Sequence, residues 1–168
     1  GLWEINNTHY QQDTGDGVYR RSLYVLVKRS VPNPTLATFD ATSRSYCVAR
    51  RQNTNTPLQA LVMMNDPTFV EAAVAMGEQI SNEADQKKAI VEMYRRMTSR
   101  SPSDEELNLL EQLRQKELSK FRTNPRNARG WLKAGQYEVA KSPDPAIVAA
   151  NAVVASVILN SDATITKR

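Results

Sequence analysis

The stretch that decides the fold is DPAIVAANAVVASVIL, residues 144–159. It opens with Asp144 before a proline, a typical helix start, because the carboxylate caps a free backbone N–H and proline has none to satisfy. The following residues are apolar except for Asn151 and Ser156. Since a helix that is apolar on nearly every side is buried, we predict a central helix over Pro145–Leu159. The fold class that follows is an all-α bundle of about five to seven helices.

Two further expectations rest on this helix. The buried amide of Asn151 needs hydrogen-bond partners. We predict a bond to the end of a neighbouring helix, and a contact with a ligand is the alternative. The apolar run of residues 146–159 is shorter than the ~20 residues that cross a bilayer, so no membrane span is predicted.

The same start signal recurs upstream, where proline follows Asn33, Thr56 and Asp66. After the last of these, apolar residues at helical spacing predict a helix over 67–81. Ser103 and Glu106 form a capping-box pattern that opens another helix. Further helices are predicted over residues 83–98, from Ser103 to about Arg122, and over 126–134, with a loop over 135–144. The short apolar run 22–29 fits a strand or a helix, and we choose a helix; residues 1–18 read as an extended lead-in and 19–168 as one helical domain.

The 168 residues include one cysteine, Cys47, and one histidine, His9. These counts exclude an internal disulfide, the common cysteine and histidine zinc sites and covalent c-type haem within this sequence. The sequence contains no glycine-rich nucleotide-binding motif, and His9 is the one histidine available for a Ser-His-Asp catalytic triad. We therefore predict no metal, no cofactor and no catalytic residue. Cys47 is a nucleophile only if nearby arginines lower its pKa; its neighbours Tyr46 and Val48 favour a small buried residue instead.

The positive charge is local. Residues 20–51 hold seven Lys or Arg and one acid, Asp40, for a net charge of +6, whereas the whole chain carries +4. A segment of this charge has two interpretations. In the functional one it binds an anion or nucleic acid, and in the structural one its arginines pack over carbonyls and carboxylates of the same chain. We prefer the structural interpretation and expect no nucleic-acid partner.

A series of phrases in this segment and after it is distinctive. They are YRRSLY at 19–24, KRSVP at 28–32, FDA at 39–41, CVARR at 47–51, TNTPLQAL at 54–61 and NDPTF at 65–69. Together they resemble the DUF1553, or PSD1, family. Weaker similarity at 101–106 and 159–166 extends the resemblance over nearly the whole chain, and Thr42 replaces a proline that is common there.

The resemblance implies which domains accompany this chain, and it does not imply a chemical activity. Members are long exported bacterial proteins whose C-terminal part corresponds to this chain, and many carry a cytochrome c-like domain and a DUF1549 domain upstream. Their biochemical function is not established. The expected partners are therefore upstream domains of the same polypeptide, a haem domain among them, and the expected location is extracytoplasmic.

Six residues in these phrases are candidates for binding a ligand. Their turns lie at helix starts, where free N–H groups favour an anion; the alternative, which we prefer, is a structural network of caps and arginine–carboxylate pairs, with Arg50 or Arg51 paired to an aspartate. The candidates are Arg50, Arg51, Asp40, Asn55, Thr56 and Asp66.

Three functions remain open at this point. The chain is a helical packing or interaction module, which we adopt, or part of an enzyme whose pocket upstream domains complete, acting on a carbohydrate or another polymer. The third alternative is a weak binder of anions or nucleic acid through residues 20–51.

Overall fold

The computed structural model describes residues 13–25, 27, 31–42, 46–50, 53–140 and 144–166. This part of the chain is all-helical, which confirms the predicted fold class. The chain divides into two compact units, Gly1–Val62 and Met63–Arg168, called here the N-terminal and C-terminal units. The division falls inside the single domain predicted for residues 19–168.

The N-terminal unit contains short elements. Two 3₁₀ turns, Gly15–Gly17 and Ser22–Tyr24, precede helix α1, Pro34–Thr38. Helix α2, Pro57–Asn65, begins in this unit and crosses into the next. The extended lead-in predicted for residues 1–18 falls largely outside the described residues, and its described end contains the first turn.

The helix predicted over 22–29 is wrong beyond Tyr24 in the part that the structure describes. Val25 already has extended backbone angles of φ −87° and ψ 133°. Leu23 and Tyr24 are 70% and 69% exposed, so neither side chain is packed in a core. Because a short helix depends on tertiary packing for its stability, the described residues at the start of this segment form a 3₁₀ turn over Ser22–Tyr24 instead of an α-helix.

The C-terminal unit holds the longer helices, and most begin where the sequence predicts. They are α3 Pro67–Ser81, α4 Gln86–Thr98, α5 Asp104–Thr123, α6 Pro125–Leu132, α7 Pro145–Leu159 and α8 Asp162–Ile165. Asp66 accepts the N–H of Thr68 at 2.9 Å, and the capping box of Ser103 and Glu106 is present. Local capping thus sets the helix starts.

Helix α7 is the central element, as predicted. It packs against α3, α5 and α6, and eight of its residues are at most 1% exposed, among them Val148, Ala152 and Val154 at 0%. Gly77 of α3 lies where the two helices meet. A Cβ on it would stand 2.6 Å from the backbone nitrogen of Ala152, so glycine is what permits this close approach.

Two buried glutamates of α3 hold the loop that follows α6. Glu71 accepts the N–H of Gln136 at 2.6 Å, and Glu78 accepts the N–H of Ala140 at 2.7 Å and the hydroxyl of Tyr137 at 2.5 Å. Residues 135–140 form no helix, in agreement with the predicted loop over 135–144 as far as it is described. The helix predicted over 126–134 begins at Pro125 and ends two residues early, at Leu132. Among the described helices, none combines the length and the apolar character needed to cross a membrane.

Candidate functional site

Asp40 belongs to a polar cluster of the N-terminal unit that also contains Thr54, Thr56 and Gln59. Its φ of 56° is in the left-handed region, which aspartate tolerates better than most residues. The carboxylate accepts both the backbone N–H and the hydroxyl of Thr54, each at 2.7 Å. The side chain of Asp40 therefore joins the end of α1 to the turn that leads into α2.

Gln59 completes this cluster, although the sequence analysis missed it. Its side chain accepts the N–H of Thr56 at 3.0 Å, and Thr56 Oγ1 accepts the N–H of Gln59 at 3.3 Å. The Gln59 amide also donates to the carbonyl of Thr38 at 2.9 Å and to Thr54 Oγ1 at 3.1 Å. Threonine followed three residues later by glutamine is a capping-box pattern, so the signal was present in the sequence.

The other candidates lie apart from these contacts. Arg50 and Asn55 are exposed, and none of the ion pairs within the described part of the chain involves Arg50. Arg51 falls outside the described residues, so its pairing with an aspartate stays a prediction. Asp66 belongs to the start of α3 as its N-cap.

The polar groups of this cluster bind one another. The carboxylate of Asp40 is occupied by Thr54, and the Gln59 amide is 5% exposed. A cluster arranged in this way fixes a turn and a helix start, which is the structural interpretation. The alternative, an anion pocket, would need Arg50 or Arg51 to converge on it.

Cys47 is exposed, so the expectation that it is a small buried residue is wrong. Tyr46 and Val48, on which that expectation depended, are themselves 73% and 47% exposed. His9 falls outside the described residues. Within the part of the chain that the structure describes, no group of three or more His, Cys, Asp or Glu side chains is placed to hold a metal.

The N-terminal unit also exposes its large apolar side chains. Among the described residues of 13–62 no hydrophobic side chain is buried, and Gln59 alone is buried at all. Seven large hydrophobic residues in the described part of this unit are exposed, and we call them the apolar set. They are Tyr19, Leu23, Tyr24, Tyr46, Val48, Leu58 and Leu61.

A second polar cluster lies in the C-terminal unit, beside a cleft of about 720 Å³. Arg100 donates to both carboxylate oxygens of Glu106, at 2.7 and 2.9 Å, and stands 4.9 Å from the centre of the Tyr94 ring. The bonds from Arg100, with that from the N–H of Ser103, hold the pKa of Glu106 well below its usual range. Tyr94 donates its hydroxyl to the same carboxylate at 2.8 Å, and burial together with this bond raises the pKa of Tyr94. These groups satisfy one another and join α4 to α5.

Residues 3–114 match the family model of PSD1, a protein of unknown function (DUF1553). The chain belongs to this family. No curated protein and no solved structure shows significant similarity to it. The DUF1553 match ends within α5, so the similarity noted for residues 159–166 lies outside it. The matched residues 3–114 include the whole polar cluster around Asp40 and the apolar set. Because the function of the family is unknown, the match assigns no chemical role to these residues.

Proposed function

We propose that this DUF1553 chain is a helical packing module that docks onto another domain of the same protein through the apolar set. The observation that carries the proposal is the uneven burial of hydrophobic side chains. Seven of the eleven exposed large hydrophobics among the described residues belong to the N-terminal unit, and no described residue of that unit has a buried hydrophobic side chain. A region that exposes many large apolar side chains is typical of a surface that another domain or protein covers.

The polar cluster supports the same proposal. Asp40, Thr54 and Gln59 hold the start of α2 in place, and α2 carries Leu58 and Leu61, which are 56% and 53% exposed. Residues three apart lie on one side of a helix. A rigidly anchored helix that presents two leucines to solvent is suited to docking, since little conformational entropy remains to be lost on binding.

The family resemblance supports the choice of an upstream domain as the proposed partner. We propose that the covering surface belongs to an upstream domain, that a cytochrome c-like domain is among the domains present, and that the whole protein is exported. In this arrangement the chain positions a neighbouring domain and performs no chemistry of its own. An enzyme pocket completed by upstream domains stays an alternative prediction, and so does anion binding through residues 20–51.

The test compares this chain alone with the full-length protein from its gene by hydroxyl-radical footprinting. Tyr24 and Tyr46, 69% and 73% exposed, serve as probes. We expect several-fold lower labelling of both tyrosines in the full-length protein, because a docked domain excludes the solvent radical. Equal labelling in the two proteins would contradict the proposal.

Variants sharpen this test. Leu58→Ser combined with Leu61→Ser removes apolar docking area and should restore the labelling of the tyrosines in the full-length protein. Leu109→Ser is the matched control, because Leu109 is a helical leucine of the C-terminal unit that is 66% exposed. It should leave the protection unchanged. If the control restores labelling as well, protection depends on general stability and docking through the apolar set is wrong.

A further inference from the structure

A groove in the C-terminal unit lies between the start of α4 and the middle of α5. Its volume of about 480 Å³ is in the range of small-molecule sites. Two acidic side chains of its lining are engaged. Asp85 caps α4 by accepting the N–H groups of Lys87 and Lys88, and Glu111 pairs with the Lys87 ammonium at 3.3 Å.

Arg114 is the cation of this lining that makes no ion pair within the described part of the chain. Its Nε donates to Asn151 Oδ1 at 2.8 Å. Asn151 in turn donates to Ser81 Oγ at 3.1 Å, and Ser81 donates to the carbonyl of Gly77 at 2.6 Å. One edge of the guanidinium is thus anchored through three helices, and Asn151 is bonded to a helix end as the sequence predicted.

The Nη groups of Arg114 form no further hydrogen bond with any residue that the structure describes. Partial burial lowers the pKa of Arg114, and repulsion from Arg122 lowers it further, while attraction to the Glu111 carboxylate opposes this shift. A guanidinium that is partly desolvated and fixed at one edge is usually paired with an anion, because its planar fork matches two acceptor oxygens. The groove therefore offers a positioned cation whose second edge is open.

We propose that this groove binds a carboxylate through the Nη groups of Arg114. A singly charged carboxylate fits better than a phosphate, since Glu111 lies in the same lining and would repel a dianion more strongly. Lys87 at the rim, with its side chain 68% exposed, adds attraction for the approaching anion. The site lies entirely in the C-terminal unit and does not depend on the proposed docking function.

The test is a titration of the whole 168-residue chain with butyrate, a singly charged carboxylate, followed by the ¹⁵N NMR signal of Arg114 Nε–Hε, with sodium chloride holding the ionic strength constant. We expect a saturable shift. Arg114→Lys keeps the charge but loses the fork, and should weaken butyrate binding, measured by calorimetry, about tenfold or more. Arg95→Lys, a change at an exposed arginine of α4, should leave it unchanged.

Two further titrations of the wild-type chain identify the source of the carboxylate. Their results do not depend on whether the Arg114→Lys variant folds. A short acetylated peptide with one glutamate tests a protein carboxylate, and inorganic phosphate tests the preference for carboxylate. Saturation by butyrate assigns a free organic acid, and saturation by the peptide alone assigns an acidic segment. If neither saturates the wild-type signal, or if phosphate saturates it as well as butyrate does, the proposal is overturned, whatever the state of the Arg114→Lys variant.

Discussion

The two units of this chain use the same local signals and reach different degrees of burial. Asn33-Pro34 and Asp66-Pro67 both start a helix by side-chain capping. The first helix has 5 residues and buries none of them, whereas the second has 15 and buries seven. Capping therefore decides where a helix begins, while a partner helix decides how far it continues and whether its apolar face is covered.

The units also differ in the interactions that stabilise them. In the C-terminal unit α7 supplies an apolar surface on which α3, α5 and α6 pack. The N-terminal unit is organised by polar side chains, with Gln59 as its buried residue among those described. A unit held mainly by hydrogen bonds is marginal by itself, since the net contribution of each bond is about 1 kcal/mol. Docking onto a further domain would bury the apolar side chains that its described residues expose.

We expect the largest change in stability from a substitution at the contact between α3 and α7. Gly77→Ala places a Cβ 2.6 Å from the backbone nitrogen of Ala152 and 2.9 Å from the carbonyl of Val148. The helices must separate, and we expect a loss of about 1–3 kcal/mol in the free energy of unfolding, measured by urea denaturation. The loss should be global, because the C-terminal unit unfolds around α7.

Gly130→Ala is the matched control for that change. Gly130 also lies inside a helix, α6, and a Cβ there would meet nothing within 4 Å. Alanine should be neutral or stabilising by up to about 1 kcal/mol. Equal stabilities of the two variants would mean that α3 and α7 tolerate a methyl group between them, and the contrast between the units would lose its main support.

A smaller and more local effect is expected in the N-terminal unit. Gln59→Ala removes the side-chain bonds to Thr38, Thr54 and Thr56. We expect the first turn of α2 to open more readily by about 1–2 kcal/mol, seen as faster amide hydrogen exchange, with little change in global unfolding. Gln112→Ala, at an exposed position of α5, should change neither quantity. A global loss of stability in Gln59→Ala would show that the N-terminal unit is integral to the main core.

The smallest effect concerns the ion pair between Arg100 and Glu106. Hydrogen bonds from Arg100 lower the pKa of Glu106 in the folded chain, so the pair stabilises the fold above the unfolded pKa of about 4.3. That contribution is lost as the pH falls below this value. It is small because the side chains are 49% and 36% exposed, and water weakens the attraction.

We expect Glu106→Gln to lower the melting temperature slightly at pH 7 and to narrow its gap to the wild type as the pH falls toward 2. Glu105→Gln, at an exposed carboxyl in the same helical turn, should follow the wild-type pH profile. A gap between Glu106→Gln and wild type that stays constant with pH would show that the carboxylate charge of Glu106 does not contribute to stability.

The candidate site was only partly predictable. Asp40 and Thr56 were identified from the family phrases, and both lie in the polar cluster. Gln59 was missed although its capping-box spacing was visible, because its burial depends on Thr38, 21 residues earlier. The exposure of Cys47 was predicted wrongly, since the two apolar neighbours that suggested a core are themselves exposed.

The sequence by itself determined the all-helical class, the starts of α3, α5 and α7, and the central place of α7. Each of these depends on a cap within one helical turn or on the composition of one segment, so the information is local. The tertiary structure decided the hydrogen bond from Arg114 to Asn151, 37 residues apart, and the bond that Glu71 accepts from the backbone N–H of Gln136, 65 residues away. It also decided which leucines of α2 stay exposed. Such contacts depend on which faces of the packed helices meet, and no local pattern specifies that.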